Sequence, residues 1–525
     1  MIFQKEHFMP RYFGQLVTLI TVGAVWFGIT QPVMAAPPRG GPSPPESKPT
    51  VVRLVVDPAA EPRPALKYRF MTPLSERKPG NAAPYYYRAI LAFAQYRARV
   101  VDAKGHPDLD NRLDSWAQTT LENLPRAEVH KAIDGFAAFD NLQEAASRER
   151  CDWDWRVQDI EGPKSLYFLL DEVQQSRGLA RLLAVKARLE IAEGRYDDAV
   201  DTFRIGYQLA RDLAESPFLI SGLVGVAVAG ILDDQAHTFI GAPKSPNLYW
   251  AFTELPRPFI DMRPALEFEV TAPSRIFPFL KDPEHAEHSA EQWADLVSRA
   301  LHTATSLGGI ERSQSSYGWQ SRLVTTGLAL RGYTQAKRNL IATGYDAQKI
   351  EQMPVGQVIA IDEARFSRYI ADESRKWTLV PYAEGWQRLK AVDRELVRGR
   401  YLGPPLSGRE VIPINSLLLP ATSAAIDATI RRDISIAADR VIEAIRMQAA
   451  QNGGKLPRTL SEISIVPVPA HPRFGTPFPY RVEGEKATLE VRRMTEAPQP
   501  MQEGDYLFEI TIAGDRHSSE TRADQ

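Results

Sequence analysis

Residues 165–213, SLYFLLDEVQQSRGLARLLAVKARLEIAEGRYDDAVDTFRIGYQLARDL, decide the fold. Leu166, Leu169, Leu170, Val173, Ala180, Leu183, Ala184, Ala187 and Ile191 recur at helical spacing and mark one face. Gly178 reads as a kink, and Gly194-Arg195-Tyr196 as a turn. Ala199, Phe203, Gly206, Ala210 and Leu213 then continue the helical period on the far side of the turn. The expectation is an antiparallel helical hairpin with small residues where its two helices touch.

Working outward, Asn81 reads as an N-cap, followed by Tyr86, Ala89, Ile90, Phe93, Tyr96 and Val100 on one helical face. Further helices are expected near 109–122 and 126–148. Phe218 to Leu232, FLISGLVGVAVAGIL, is apolar throughout but too short for a comfortable membrane span. It reads as a core helix whose Gly222, Gly225 and Gly230 admit a neighbour closely. Beyond the Pro-punctuated stretch 241–284, Ser289-Ala290-Glu291-Gln292 is a capping box. Helices are then expected at 319–343, 346–352, 354–375 and 382–397, followed by a long amphipathic one from Ala421 to Gln451. The period changes after that. Phe478–Val482, Ala487–Val491 and Tyr506–Ile512 alternate as strands, with Glu483-Gly484-Glu485 as a turn. Thr50 to Val56 also has strand character.

The predicted class is mainly α: an irregular helical-hairpin body with a small α+β C-terminal module. The predicted organisation is a signal peptide over 1–35, a Pro-rich tether over 36–50 and a helical body over 51–398. A linker over 399–420, a long helix with a small antiparallel sheet over 421–514, and a disordered tail over 515–525 complete it.

Three resemblances accompany this reading. Ala187, Gly194, Tyr196, Ala199 and Phe203 fall where the tetratricopeptide repeat places its small residue, turn and helix-B packing residues, so the hairpin resembles one such repeat. Leu183 and Arg211 replace the usual aromatic and closing proline. Gly454 to Ile463 and His471 to Tyr480 resemble the corresponding stretches of type II secretion pseudopilins, with His471 where those carry an acidic residue. Taken whole, the chain resembles a group of large exported proteins typical of planctomycete-type bacteria. Pro79 to Ala83, the Tyr85-Tyr86-Tyr87-Arg88 run and Asn247 to Ala251 carry that likeness, which implies export but no activity.

The chain has 525 residues, 44% hydrophobic and 24% charged, which is enough for two or three domains. Lys5 and Arg11 precede an apolar run from Leu16 to Ile29, and Val33-Met34-Ala35 offers a cleavage site after Ala35. An uncleaved anchor is the competing reading, and export follows from either. Loss of 1–35 removes Lys5, Arg11 and Glu6, taking the formal charge from −2 to −3. That balance gives no electrostatic case for nucleic acid. The single cysteine, Cys151, permits no intrachain disulfide and is expected to be buried and inert.

Two constellations have chemical content. Asp152 and Asp154, flanked by Trp153 and Trp155, pair carboxylates with indoles as a site for a sugar polymer does. Against this stands a surface crossing pinned by the two tryptophans. His285 and His288, three residues apart among acidic neighbours, have the spacing of a metal pair, although they fall in the turn before a helix. No nucleophile elbow, zinc-protease motif, phosphate loop or dinucleotide fingerprint is present in the sequence, so no cofactor is expected. The leading functional expectation is a non-enzymatic, periplasmic or secreted protein of the cell envelope that binds protein partners, with no membrane span beyond its N-terminal segment. A hydrolase of envelope polysaccharide or peptide, and a component of a secretion or pilus-like assembly, are the alternatives.

Overall fold

The computed structural model describes residues 48–101, 105, 108–156, 159–162, 171–307, 332–397, 421–493 and 498–513. The expected signal segment, most of the Pro-rich stretch, and the expected linker 399–420 and tail lie outside these, as do 163–170 and 308–331. The fold is mainly α with a small sheet near the C-terminus. Its principal helices are α1 (Ala83–Arg99), α2 (Leu109–Gln118), α3 (Arg126–Asp134), α4 (Phe139–Ala146), α5 (Asp171–Ala192) and α6 (Tyr196–Ala214). There follow α7 (Leu219–Ile240), α8 (Ala290–Leu307), α9 (Val355–Arg375), α10 (Tyr382–Val397) and α11 (Ala421–Gln451). Two compact units result. The larger comprises Pro38–Trp153, Leu170–Ala265 and Asp427–Gln525, and the smaller includes Asp154–Leu169 and Leu266–Ile426.

In the larger unit α5 and α6 form the hairpin, and Gly194 turns between them at φ +71°, a conformation that favours glycine. Gly178 does not kink α5, which runs unbroken through it. It makes room for Phe93 of α1, whose Cε1 lies 2.2 Å from where a Cβ would sit. The small residues serve a third helix. At Gly225 of α7 a Cβ would come within 2.3 Å of the Ala210 carbonyl oxygen, and at Gly206 of α6 it would strike Leu232. Helix α7 is long and apolar enough to cross a membrane by length and composition, but 72% of its most apolar window is buried within the protein. Residues 126–148 form two helices where one was expected. The chain breaks at Gly135, against the Tyr96 ring, so that Phe136 packs edge-on to Phe139 with ring centroids 4.9 Å apart.

The C-terminal sheet has four strands in the order β1-β6-β5-β4, with β1 (Thr50–Val56), β4 (Tyr480–Glu483), β5 (Lys486–Val491) and β6 (Tyr506–Ile512). The last three are antiparallel neighbours, as the alternation predicts. The N-terminal strand joins them in parallel, with Val52 opposite Phe508 and Leu54 opposite Ile510. Periodicity finds strands but not their distant partners, so the mixed sheet was not legible. Leu54, Val56, Ala487, Leu489, Val491, Phe508 and Ile510 are buried on one face. Val51 and Val55 are exposed on the other, where Glu509 bridges Arg53 and Lys486. A two-stranded parallel ribbon of β2 (Lys78–Asn81) and β3 (Arg148–Arg150) precedes Cys151.

The long helix departs most from expectation. It is not amphipathic in its surroundings: every residue from Ile434 to Ala449 is buried, including Asp439, Arg440, Glu443 and Arg446. Arg446 donates from Nε to the Asp57 carbonyl (3.0 Å), from Nη1 to both Glu443 oxygens (3.0 Å each), and from Nη2 to the Ser245 carbonyl and hydroxyl (2.8 and 2.9 Å).

In the smaller unit, α8 and α9 meet where Gly356 lies against the Trp293 backbone, with no space for a Cβ. Trp293, Phe277, Leu280 and Ala360 form the core there. The Ser289 capping box is present, Gln292 N donating to Ser289 Oγ (3.2 Å) and Ser289 N to Gln292 Oε1 (2.8 Å).

Breaking a buried ion pair on one side leaves an uncompensated charge, at a cost of about 3–5 kcal/mol. Arg446→Met should therefore lower the unfolding free energy by about that amount, read as a lower urea midpoint. Arg446→Met with Glu443→Leu should recover most of the loss. A single variant as stable as the parent would refute this account of the core.

Candidate functional site

The polar residues of α7 and α11 fall into facing stripes. Gly230, Asp234 and His237 recur at i, i+4, i+7 along α7, and Arg432, Ser435 and Asp439 at i, i+3, i+7 along α11. Asp233 accepts hydrogen bonds from Arg432 Nη1 and from the Tyr207 hydroxyl, the latter at 2.7 Å. Two turns on along α11, His237 Nε2 lies 2.8 Å from Asp439 Oδ1. Gly230 lets the Arg432 guanidinium lie over the helix, since a Cβ there would be 3.1 Å from Nη2. The sheet closes the third side. Arg493, just after β5, stacks over the Tyr506 ring with Cζ 4.3 Å from its centroid and reaches Ser435 Oγ at 3.4 Å. Phe508 meets the His237 ring edge-on, with centroids 5.3 Å apart.

This assembly opens to solvent at Asp234, which is exposed, although burial raises its carboxyl above the usual range. Burial brings the Arg432 guanidinium down to about 10 and also lowers that of Arg493. For His237 burial pulls downward, but Asp439 and Asp234 outweigh it and the imidazole is raised, favouring the imidazolium. The walls thus carry mixed charge. Three buried atoms here have no hydrogen-bond partner: Asp439 Oδ2, Arg432 Nε and Arg493 Nε. Buried polar groups are nearly always satisfied, so three orphans in one cluster call for an explanation. Among the described residues, neither Asp234 nor Arg493 has an ion-pair partner within 4.0 Å.

A second buried cluster surrounds Asp212 on α6. The Tyr86 hydroxyl donates to its Oδ2 (2.6 Å) and Gln208 Nε2 to its Oδ1 (2.7 Å), while Trp153 Nε1 donates to its carbonyl (2.8 Å). Burial is the main cause that pushes the Asp212 carboxyl up to about 7, with Glu215 adding to it. Cys151 lies in the same cluster; burial, then Asp212 and Glu215, raise its thiol far above the ordinary range, which keeps it in the unreactive form.

The residues singled out from sequence lie elsewhere. Asp152 and Asp154 are both exposed, with Asp152 N donating to Asn81 Oδ1 (2.8 Å), whereas Trp153 is buried and stacked on Tyr86. Arg156 pairs with Asp159 at 2.8 Å. His285 and His288 are exposed and turned to different partners, the first to Asp282 (2.9 Å) and the second to the Trp293 ring. Among the described residues no group of three or more His, Cys, Asp or Glu is placed to hold a metal. Asp234, His237, Arg432, Asp439 and Arg493 were missed. The signal available was the set of charged and polar residues Asp233, Asp234 and His237 directly after an apolar run. No known family model, curated protein or solved structure matches the chain significantly.

Because the folded pKa of Asp212 lies above its unfolded value near 3.8, its contribution is present in full below about pH 4 and is lost as pH rises to about 7. The loss is at most about 4 kcal/mol. Asp212→Asn should flatten the fall in melting temperature between pH 5 and 8; an unchanged slope would assign that fall to other groups.

Proposed function

We propose that this chain is an exported cell-envelope protein that works by binding a partner, and that the charged cluster between α7, α11 and the sheet is its binding site. The observation that carries this reading is the set of unpartnered buried atoms on Arg432, Asp439 and Arg493, beside Asp234 and Arg493, which among the described residues have no ion-pair partner within 4.0 Å. Leaving such groups unpaired is destabilising, and proteins tolerate that where function requires it. The basic start, apolar run and alanine cut site support export. The one repeat-like hairpin supports a binding role over a catalytic one, since it supplies a rigid frame for α7. For a hydrolase, Asp152 and Asp154 are poor carriers: both are exposed, on either side of the buried Trp153.

A second reading, a component of a secretion or pilus-like assembly, draws support from the outer face of the sheet, where Val51 and Val55 lie open on an edge strand. Residues 454–491, the pseudopilin-like stretch, belong to the same module. A cation role for its loop finds little support: burial lowers His471 to about 4, its Nε2 lies 2.7 Å from the Arg492 carbonyl, and the neighbouring Arg473 is fully buried.

Fractionation of cells expressing the tagged full chain should place a shortened product in the envelope, and intact product free in the cytosol would overturn export. Soluble envelope extract should raise the melting temperature of the purified protein by a few degrees, and Arg493→Gln should abolish the rise. No rise with the parent protein would sink the binding reading.

A further inference from the structure

Asn452 and Gly453 form the one Asn-Gly pair in the sequence, and the fold sets both residues, exposed, just past the end of α11. The helix closes there in a Schellman-type cap. Gly454 N donates to the Ala449 carbonyl (2.8 Å), and Gly453 and Gly454 both take positive φ, +61° and +82°. Asn452 N is tied back to the Gln448 and Ala449 carbonyls (3.0 and 3.1 Å), whereas, among the described residues, the Gly453 amide donates to no backbone carbonyl. Nothing lies within 4 Å of where a Cβ on Gly453 would sit. Gln448 Nε2 donates to Asn452 Oδ1 (3.1 Å). A backbone nitrogen open to solvent thus follows a side-chain amide whose oxygen already holds a donor.

Asp134-Gly135, the one Asp-Gly pair, supplies the contrast. It too ends a helix, yet Gly135 N donates to the Lys131 carbonyl (3.1 Å), and the glycine lies against the Tyr96 ring. We propose that Asn452 is a site of self-modification, where the Gly453 nitrogen closes on the Asn452 side chain and converts it to isoaspartate and aspartate. The nitrogen gives its proton to a solvent base and bonds to Cγ. Negative charge gathers on Oδ1, where the Gln448 donor stabilises it. The Cγ–Nδ2 bond then breaks, and Nδ2 takes a proton from water and leaves as ammonia. Water opens the five-membered imide at either carbonyl: attack at Cγ gives aspartate, and attack at the main-chain carbon gives isoaspartate. Isoaspartate routes the main chain through the side chain, adding one carbon ahead of Gly453, which the bond from Gly454 to Ala449 does not span. Either product sets a carboxylate at the negative end of α11. The cap therefore loosens as the protein ages, and with it Gln448, whose Oε1 accepts from Ser464 N at 3.4 Å. None of this depends on the charged cluster or its partner.

The test is to age the purified full chain at mildly alkaline pH and follow its tryptic peptide Met447–Lys455 by mass, with the synthetic peptide MQAAQNGGK aged beside it. Folded Asn452 should convert at a rate within tenfold of the free peptide, releasing one ammonia per chain. Enzymatic methyl transfer should find isoaspartate at position 452 and none at 134. Asn452→Gln, which would have to close a six-membered ring, should yield neither ammonia nor isoaspartate while keeping the parent circular dichroism spectrum. The aged chain should be cut by protease between 451 and 463 several-fold faster than the fresh chain. A folded chain that keeps Asn452 while the peptide is consumed, or isoaspartate at 134 as fast as at 452, would overturn the proposal. An aged, converted chain as resistant as the fresh one would overturn the loosening of the cap.

Discussion

Arg446 has no exposed surface, and all five of its N–H donors find acceptors. Those acceptors come from three distant parts of the chain: the exit of the first strand at Asp57, the loop after α7 at Ser245, and Glu443 one turn back along α11. Two further bonds reinforce the knot, from Ala59 N to the Arg446 carbonyl (3.2 Å) and from Asn247 Nδ2 to the Glu443 carbonyl (2.9 Å). Burial pushes the Glu443 carboxyl up to about 6 against the pull of Arg446, which still leaves it ionised at neutral pH. The sheet, the helical layer and the long helix are registered against one another through this guanidinium.

The same helix carries both a satisfied and an unsatisfied charge cluster. Around Arg446 every donor is used and the ion pair is closed to solvent. Two turns earlier, Asp439 leaves one oxygen without a partner, and Arg432 leaves one nitrogen. Both clusters lie within one folded unit.

Local patterns in the chain announced the elements and not their burial. The hairpin around Gly194, the capping box at Ser289, the strands at 487–491 and 506–512, and the 31-residue helix α11 were all legible from period and caps. What failed was inference about neighbours. Charged residues along α11 read as a solvated face, since 3.6-residue periodicity assumes that charge faces water. Here those charges are paired inside the protein, and no single-helix pattern encodes that. The charged cluster was equally hidden, because it draws on residues 230–237 and 432–439 together with Arg493, Tyr506 and Phe508, and only the fold brings them together. Asp152 and Asp154 attracted notice by their aromatic neighbours, and one of those indoles is a core anchor.

The parallel pairing of β1 with β6 joins residues 456 positions apart, as Arg53 and Glu509 show. A polypeptide synthesised amino end first presents TVVRLVV long before its partner arrives. Until then a valine-rich strand stands with both edges unsatisfied, open to self-association. Completion of this fold is thus tied to synthesis of the carboxyl-terminal residues, and a truncated chain would keep that strand unpaired.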